Sequence, residues 1–432
     1  LTDFVIVGGG VGGLVLARRL VLGGADVIVL EASDRLGGSV ASHTVGGIQL
    51  DAGAESFATR RGTVEALARS LKLGDDIVEP NPAGAWLQPV TGPAFRLPLN
   101  SMLGIPGSPL AADVTPIIGG RAATRAYLET LLPGPYAAKS KTLGELVRRR
   151  MGEAVLDRLV RPIVRGVHSA DPDDLDLDKV APGLRAAMID TGSLARAVRS
   201  LQESSGRAGS SVAGIRGGIF RIVEALEADL DRFGVDVRLN SRATSVADGR
   251  ALVGDANGGG SRHLEGRAIV AAPGLLGDTS NRGHRVVLAT LVVDQPLLDA
   301  APRGTGLLVA KDSSGIPKSV DGGIRAKALT HVTAKWEWVA ERAEGKHVLR
   351  LSYDDDETDL AGAARADAEA LLGVPIPASS VLAFGRSEWY RPPRLTHTPD
   401  GIHVVGETIA GTGLANVVGQ AEELAGNLLR DS

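Results

Sequence analysis

The first forty residues constrain this chain most. Phe4-Val5-Ile6-Val7 is a short, wholly apolar run, followed by Gly8-Gly9-Gly10-Val11-Gly12-Gly13. The apolar-periodic stretch 14–22 comes next, then a second apolar run from Asp26 to Leu30 that ends in Glu31. Strand, glycine turn, helix, strand and acid in this order are the setting in which G-x-G-x-x-G has a mechanical meaning. Gly8 allows the tight turn, Gly10 lets a ligand approach the backbone, and Gly13 lets the helix lie close to the strand. The helix start offers free N–H groups and the positive end of the helix dipole to a pyrophosphate. Glu31, 18 residues beyond Gly13, is placed to accept from ribose hydroxyls and disfavours a 2′-phosphate. A strand–turn–helix without a ligand would need the packing glycines but not the acid. The pattern therefore reads as a dinucleotide site with Gly8, Gly10, Val11, Gly12, Gly13 and Glu31 as contacts.

Composition narrows the rest. At about 150 residues per domain, 432 residues suggest two to three domains. The complete absence of cysteine excludes a disulfide framework, a thiolate nucleophile, a Cys-ligated metal centre and a thioether-linked cofactor. It also suits a cytoplasmic protein. The net charge of −4 comes from 47 basic and 51 acidic residues without long runs, which gives no electrostatic case for nucleic acid. The apolar stretch 4–22 follows Asp3 and is interrupted by Arg18 and Arg19, so it reads neither as a signal peptide nor as a span. No membrane-spanning segment is expected; peripheral contact with a membrane is left open. None of the eight histidines sits in a metal or triad motif, so no metal site and no catalytic side chain is expected.

The residues after Glu31 decide between nicotinamide and flavin. Glu31-Ala32-Ser33-Asp34-Arg35-Leu36-Gly37-Gly38 resembles the E-x-x-x-R-x-G-G segment of the FAD family that contains amine oxidases, phytoene desaturases and porphyrinogen oxidases. The resemblance implies non-covalent FAD, with Ala32, Arg35, Gly38 and Ser39 beside its phosphates; Ser39 stands where many members carry a basic residue. Asp51-Ala52-Gly53-Ala54-Glu55-Ser56-Phe57 resembles the segment that runs along the flavin and ribityl chain, which implies Gly53, Ala54, Glu55 and Ser56 as contacts. The C-terminal run of strand 402–405, Gly406-Glu407, Gly411-Thr412-Gly413-Leu414 and helix 417–429 resembles the family's closing return. It implies Glu407 near the pyrophosphate and ribityl chain. The N–H groups of Thr412, Gly413 and Leu414 would then face the flavin edge that gains negative charge on reduction. A third return is expected in the middle: a strand at 234–240 continued by 242–246, a glycine hairpin at Gly258, Gly259 and Gly260, and a strand 268–273. By resemblance, the backbone of Ala243 would meet the adenine edge.

The expected fold class is α/β (α+β), with a discontinuous Rossmann-like FAD-binding domain (1–80, 206–275 and 395–432), a helical domain (81–205) and a mixed-sheet substrate-binding domain (276–394). Thr142-Leu143-Gly144-Glu145 fits a capping box. Leu146, Val147, Met151, Leu156, Leu159, Val160 and Ile163 then follow with the spacing of one amphipathic helix. Residues 285–293 and 347–352 alternate like strands.

Three further segments resemble protoporphyrinogen and coproporphyrinogen oxidases within that family. Residues 162–172 resemble P-x-x-x-G-V-[YF]-A-x-D-P, with His168 at the usual aromatic. Residues 214–219 resemble the L-R-G-G segment, and Lys327-Ala328-Leu329-Thr330 with Ala334-Lys335-Trp336 resembles K-A-x-T…K-W. The family's L-P-Q-Y and G-H signatures before the last strand are missing, since Trp389-Tyr390-Arg391-Pro392-Pro393 leads almost directly to Gly401. The resemblance implies oxidation of a porphyrinogen to a porphyrin in heme biosynthesis: six electrons in three flavin cycles, O2 as acceptor and H2O2 as product. Coproporphyrinogen III is favoured over protoporphyrinogen IX as the tetrapyrrole substrate. Its propionates need cations, and guanidinium suits carboxylate; Arg60, Arg61, Arg165 and Lys335 are the candidates, with His168 as a pocket wall. A solvated charge describes Arg165 and Lys335 equally well. The FAD motifs also permit an amine oxidase or carotene-type desaturase, and the fold also serves escort proteins that bind partners without catalysis.

Overall fold

The computed structural model describes residues 2–59, 61–89, 92–168, 171–204, 212–247, 250–254, 261–272, 275, 283–310, 323–354, 358–393, 395, 398 and 402–431. The chain separates into two compact units, Leu1–Pro80 with Ser211–Leu288 and Gly385–Ser432, and Asn81–Ser210 with Ala289–Phe384.

In the first unit the apolar runs become a parallel sheet. Its strands are β1 (Phe4–Val7), β2 (Val27–Leu30), β3 (Asp236–Arg238), β4 (Arg267–Val270) and β5 (His403–Val404), in the order β3-β2-β1-β4-β5. Val5 pairs with Ile28 on one side and Ala268 on the other. A strand at the centre of a parallel sheet is covered on both faces, so it needs no polar alternation. Phe4, Ile6, Val27 and Val29 face a layer of three helices, α1 (Val11–Leu22), α2 (Phe220–Arg232) and α3 (Leu414–Arg430). Val5, Val7, Ile28 and Leu30 face Ala243, Ala251 and Val253 of a three-stranded antiparallel meander, Ala243–Ala247, Arg250–Gly254 and Ser261–Leu264. The stretch 234–246 is therefore two strands rather than one. β3 ends at Arg238, and Asn240 at φ +52° turns the chain into the meander, a left-handed conformation that asparagine tolerates better than most residues. The predicted hairpin glycines Gly258, Gly259 and Gly260 lie outside the described residues.

The second unit combines a mixed sheet with a helical cluster. The sheet order is Val381–Arg391, His284–Val293, His347–Tyr353, Ala328–His331, Gly306–Val309, Trp86–Gln88, Phe95–Arg96. The division between the units falls inside the first two of these strands. The expected helical domain 81–205 instead opens with short strands, Trp86–Gln88, Phe95–Arg96, Ser101–Met102 and Ile105–Pro106, and among the described residues its helices begin at Thr115. Thr142 caps the helix Leu143–Met151 by accepting from the Glu145 N–H at 3.2 Å, and the Glu145 carboxylate accepts from the Lys141 N–H at 3.0 Å. The expected long amphipathic helix is broken at Gly152, whose φ is +97°. Leu156–Val160 then winds more widely, as a π-helical turn, before Arg161–His168. Six of its seven apolar positions, Leu146, Val147, Met151, Leu156, Leu159 and Val160, still enter one core, and Ile163 is buried as well.

Candidate functional site

A parallel sheet ends all its strands on one side, and ligands of such sheets bind beyond those carboxyl ends. In the first unit that edge is formed by Gly8 after β1, Glu31 after β2, Ala271 after β4 and Gly406 after the β5 strand.

The fingerprint glycines divide by what a Cβ would meet. At Gly13 it would lie 2.2 Å from the Gly8 carbonyl, and at Gly8, whose φ is +116°, 2.9 Å from the Ala271 backbone. At Gly12 it would lie 3.1 Å from the Gly406 Cα. These three glycines let backbones touch. Gly10 meets nothing within 4 Å, and it stands at the N-cap of α1 without a side-chain cap or a first-turn acid. The N–H groups at the start of α1 have no intrahelical partner.

Glu31 is held from several directions. Its Oε2 accepts from the Gly9 N–H at 2.7 Å and its Oε1 from the Ser33 N–H and hydroxyl, each at 2.8 Å. Its carbonyl accepts from the Ser241 N–H at 2.8 Å, two residues before Ala243, which is buried in the meander. The Gly37 N–H donates to the Gly9 carbonyl at 2.8 Å, bringing the 31–39 segment against the glycine turn. Ala32, Arg35, Gly38 and Ser39 are exposed there. Gly53 is buried, and its missing Cβ would lie 2.3 Å from the Ser39 carbonyl. Ala54 is exposed, while Glu55 and Ser56 are half-buried.

The C-terminal return meets the same edge. Glu407 follows Gly406 and is half-buried; burial pushes its carboxyl above the ordinary range against the opposing attraction of Arg391. Thr412 and Gly413 are exposed and Leu414 opens α3. Like α1, α3 begins without a side-chain cap or a first-turn acid. Gly411 and Gly413 would meet nothing within 4 Å of a Cβ. Open backbone at Gly10, Gly411 and Gly413, two uncapped helix starts and the Glu31 carboxylate fit a dinucleotide cofactor.

Four supporting residues escaped the motif reading. Asp51 accepts from the Ile219 and Phe220 N–H groups at 3.1 and 3.0 Å, capping the entry to α2. The Ser387 hydroxyl donates to the Ala52 carbonyl at 2.6 Å. The Thr63 hydroxyl donates to the Ala415 carbonyl at 2.8 Å, and Gln420 bonds to Val404 and Gly406. All four act by side-chain-to-backbone bonds, and the first three join residues far apart in sequence, which no local pattern announces.

The cationic candidates are spread over both units. In the first, Arg61 is exposed just before the helix Thr63–Ser70; Arg60 lies outside the described residues. In the second, the Arg165 Nε donates to Asp171 at 3.0 Å, and Asp171 also accepts from Arg161 at 2.5 Å. Burial of Asp171 opposes its ionisation, but the Asp173 N–H and the two guanidinium groups hold its pKa below the ordinary range. The Lys335 Nζ lies 5.1 Å from the centre of the Trp336 ring. His168 ends the helix Arg161–His168, and its side chain lies outside the described residues. Among the described residues no cluster of three or more His, Asp and Glu could hold a metal ion, and no helix is long and apolar enough to cross a membrane.

The model of the flavin containing amine oxidoreductase family matches residues 11–275. Coproporphyrinogen III oxidase of Mycobacterium leprae is 30% identical over 372 residues, 81% of this chain and 77% of that protein. Coproporphyrinogen III oxidase of Propionibacterium freudenreichii is 27% identical over 291 residues, and the match spans 58% of this chain and only 55% of that relative. A crystal structure from Exiguobacterium sp. 255-15, of a protein provisionally assigned as a protoporphyrinogen oxidase, superposes with a TM-score of 0.81 at 21% identity, covering 100% of this chain and 99% of that one. At that identity the likeness is one of fold.

Proposed function

We propose, on the premise that this chain belongs to the flavin containing amine oxidoreductase family, that it binds FAD non-covalently and oxidises a porphyrinogen to a porphyrin, coproporphyrinogen III in preference to protoporphyrinogen IX. The observation that carries the substrate class is the alignment with a coproporphyrinogen III oxidase across 81% of the chain. Balance requires coproporphyrinogen III and three O2 to give coproporphyrin III and three H2O2. When bound, the flavin supplies the two-electron acceptor for hydride from a meso carbon, chemistry that belongs to the cofactor.

The chain's own residues supply binding and electrostatics. The start of α1, with Gly8, Gly10, Val11, Gly12 and Gly13, would hold the pyrophosphate, and Glu31 the adenosine ribose, with Ala32, Arg35, Gly38 and Ser39 beside the phosphates. Gly53, Ala54, Glu55 and Ser56 would line the ribityl chain, and the Ala243 backbone the adenine. The helix start at Thr412, Gly413 and Leu414 would stabilise negative charge on the reduced ring, with Glu407 alongside. Arg60 and Arg61 are the leading partners for propionates, ahead of Arg165, whose guanidinium Asp171 already engages, and of Lys335 and His168. Absence of cysteine supports a cofactor held without a thioether. We place the reaction in the cytoplasm.

The test is an absorbance spectrum of the purified protein followed by anaerobic addition of each porphyrinogen. A yellow protein that bleaches with coproporphyrinogen, and yields fluorescent porphyrin with H2O2 in air, is expected. A flavin-loaded protein that ignores both porphyrinogens but releases peroxide with amines would replace this reading with an amine oxidase.

A further inference from the structure

β5 is the edge strand of the parallel sheet. On its inner side the backbone is paired with β4, where the Val405 N–H donates to the Val270 carbonyl at 3.0 Å. On its other side, where no strand pairs with it among the described residues, one side chain takes a strand's place. The Gln420 Nε2 donates to the Val404 carbonyl at 3.0 Å, and the Gly406 N–H donates to the Gln420 Oε1 at 3.1 Å. A primary amide carries a donor and an acceptor side by side, so it can copy the paired N–H and C=O of a strand. Glutamate can accept from Gly406, but as a carboxylate it sets a second oxygen against the Val404 carbonyl.

The turn that Gln420 grips is the one that reaches the glycine fingerprint. Gly406 lies so close to α1 that a Cβ on Gly12 would be 3.1 Å from its Cα. Its carbonyl accepts from the Ala410 and Ile409 N–H groups at 2.9 and 3.2 Å, starting the short helix Glu407–Ala410. Gln420 itself sits on α3, six residues after Leu414. One side chain thus links the body of α3, the Gly406–Glu407 turn and, through that turn, the first turn of α1.

We propose that Gln420 is a positioning residue for the dinucleotide, setting the Gly406–Glu407 turn against the start of α1 and thereby tuning FAD affinity without touching the cofactor. This rests on the FAD reading above. The test measures FAD binding to flavin-stripped wild type, Gln420→Leu and Gln420→Glu by fluorescence quenching at pH 8 and pH 4.5, with circular dichroism to follow folding. Gln420→Leu is expected to bind about tenfold more weakly at both pH values, the effect of losing two neutral hydrogen bonds. Gln420→Glu is expected to bind as weakly at pH 8 and to recover towards wild type at pH 4.5, close to the ordinary glutamate pKa of about 4.3, because a protonated carboxyl can again donate to Val404. A purely structural role would not produce that recovery. Wild-type affinity in both variants at both pH values overturns the proposal. So does loss of folding in both, which would assign Gln420 to the sheet edge alone. If wild type itself binds no FAD, the cofactor reading fails and this proposal falls with it.

Discussion

Alanine at Gly10 and alanine at Gly13 should have opposite consequences, although both break the same G-x-G-x-x-G pattern. At Gly13 the new Cβ would lie 2.2 Å from the Gly8 carbonyl, 3.2 Å from the Ile6 Cγ2 and 3.3 Å from the Ala271 Cβ. The nearest atom is backbone, and Gly8, at φ +116°, sits where even a Cβ of its own would come within 2.9 Å of the Ala271 backbone, so neither side can yield cheaply. Overpacking of a core costs roughly 1–3 kcal/mol, and this contact belongs at about 3 kcal/mol. At Gly10 the backbone has φ −71° and ψ 169°, open to any L-residue, and nothing lies within 4 Å. Alanine there loses a little as an N-cap and gains from a stiffer unfolded chain, so the apoprotein should change by less than about 1 kcal/mol. The methyl would instead stand where the proposed pyrophosphate would approach. Taking the same 1–3 kcal/mol for the clash, FAD affinity should fall on the order of 10- to 100-fold. Urea unfolding of the flavin-stripped variants, paired with FAD titrations, separates the two effects. A Gly10→Ala protein that binds FAD like wild type, or a Gly13→Ala apoprotein as stable as wild type, would refute the division of these glycines into ligand-facing and packing positions.

Glu31→Gln replaces a carboxylate that accepts from Gly9 and Ser33 by an amide that turns a donor towards one of them; the apoprotein should lose about 1–2 kcal/mol, read from its urea midpoint. Arg150 and Glu129 form an ion pair with both side chains 0% exposed. Arg150→Met should cost about 3–5 kcal/mol in thermal or chemical unfolding, while the double variant with Glu129→Gln should lose less. The buried pair His331 and His347 predicts acid sensitivity. The His331 Nε2 lies 3.1 Å from the His347 Nδ1, whose ring meets Asp299 at 3.1 Å. Burial, and behind it His347, lowers the His331 pKa to about 4; burial lowers that of His347 too, against the pull of Asp299 and Asp294. Unfolded imidazole titrates near 6.5, so below that pH the unfolded chain takes up protons that the folded one does not. Stability should be complete above pH 6.5 and fall by about 2 kcal/mol between pH 6.5 and 5 from His331 alone. Urea midpoints across that range should flatten in His331→Gln, and an unchanged slope would count against the assignment.

What could be read in advance was local. β1, α1 and β2 follow from an apolar run, a glycine turn and a periodic run within thirty residues, because each glycine answers a short-range steric demand. Where the reading of the fold went astray, one residue changed the backbone direction without changing hydrophobicity. Asn240 ends β3 at φ +52°, and Gly152 ends a helix at φ +97°, yet the apolar positions on either side of Gly152 still enter one core. Periodicity reports burial, and burial survives a break in the helix. The supports of the site lie beyond this kind of reading altogether. Asp51 reaches Phe220 across 169 residues and Ser387 reaches Ala52 across 335, and a side chain that bonds to backbone places no demand on the identity of its partner. Nothing in the partner segment therefore marks the contact. A site built for a pyrophosphate is for the same reason easier to read than one built for a propionate. A pyrophosphate is recognised by backbone N–H groups, which require glycines in a fixed local order. A carboxylate such as a propionate needs only single cations, which any fold can supply from anywhere in its sequence.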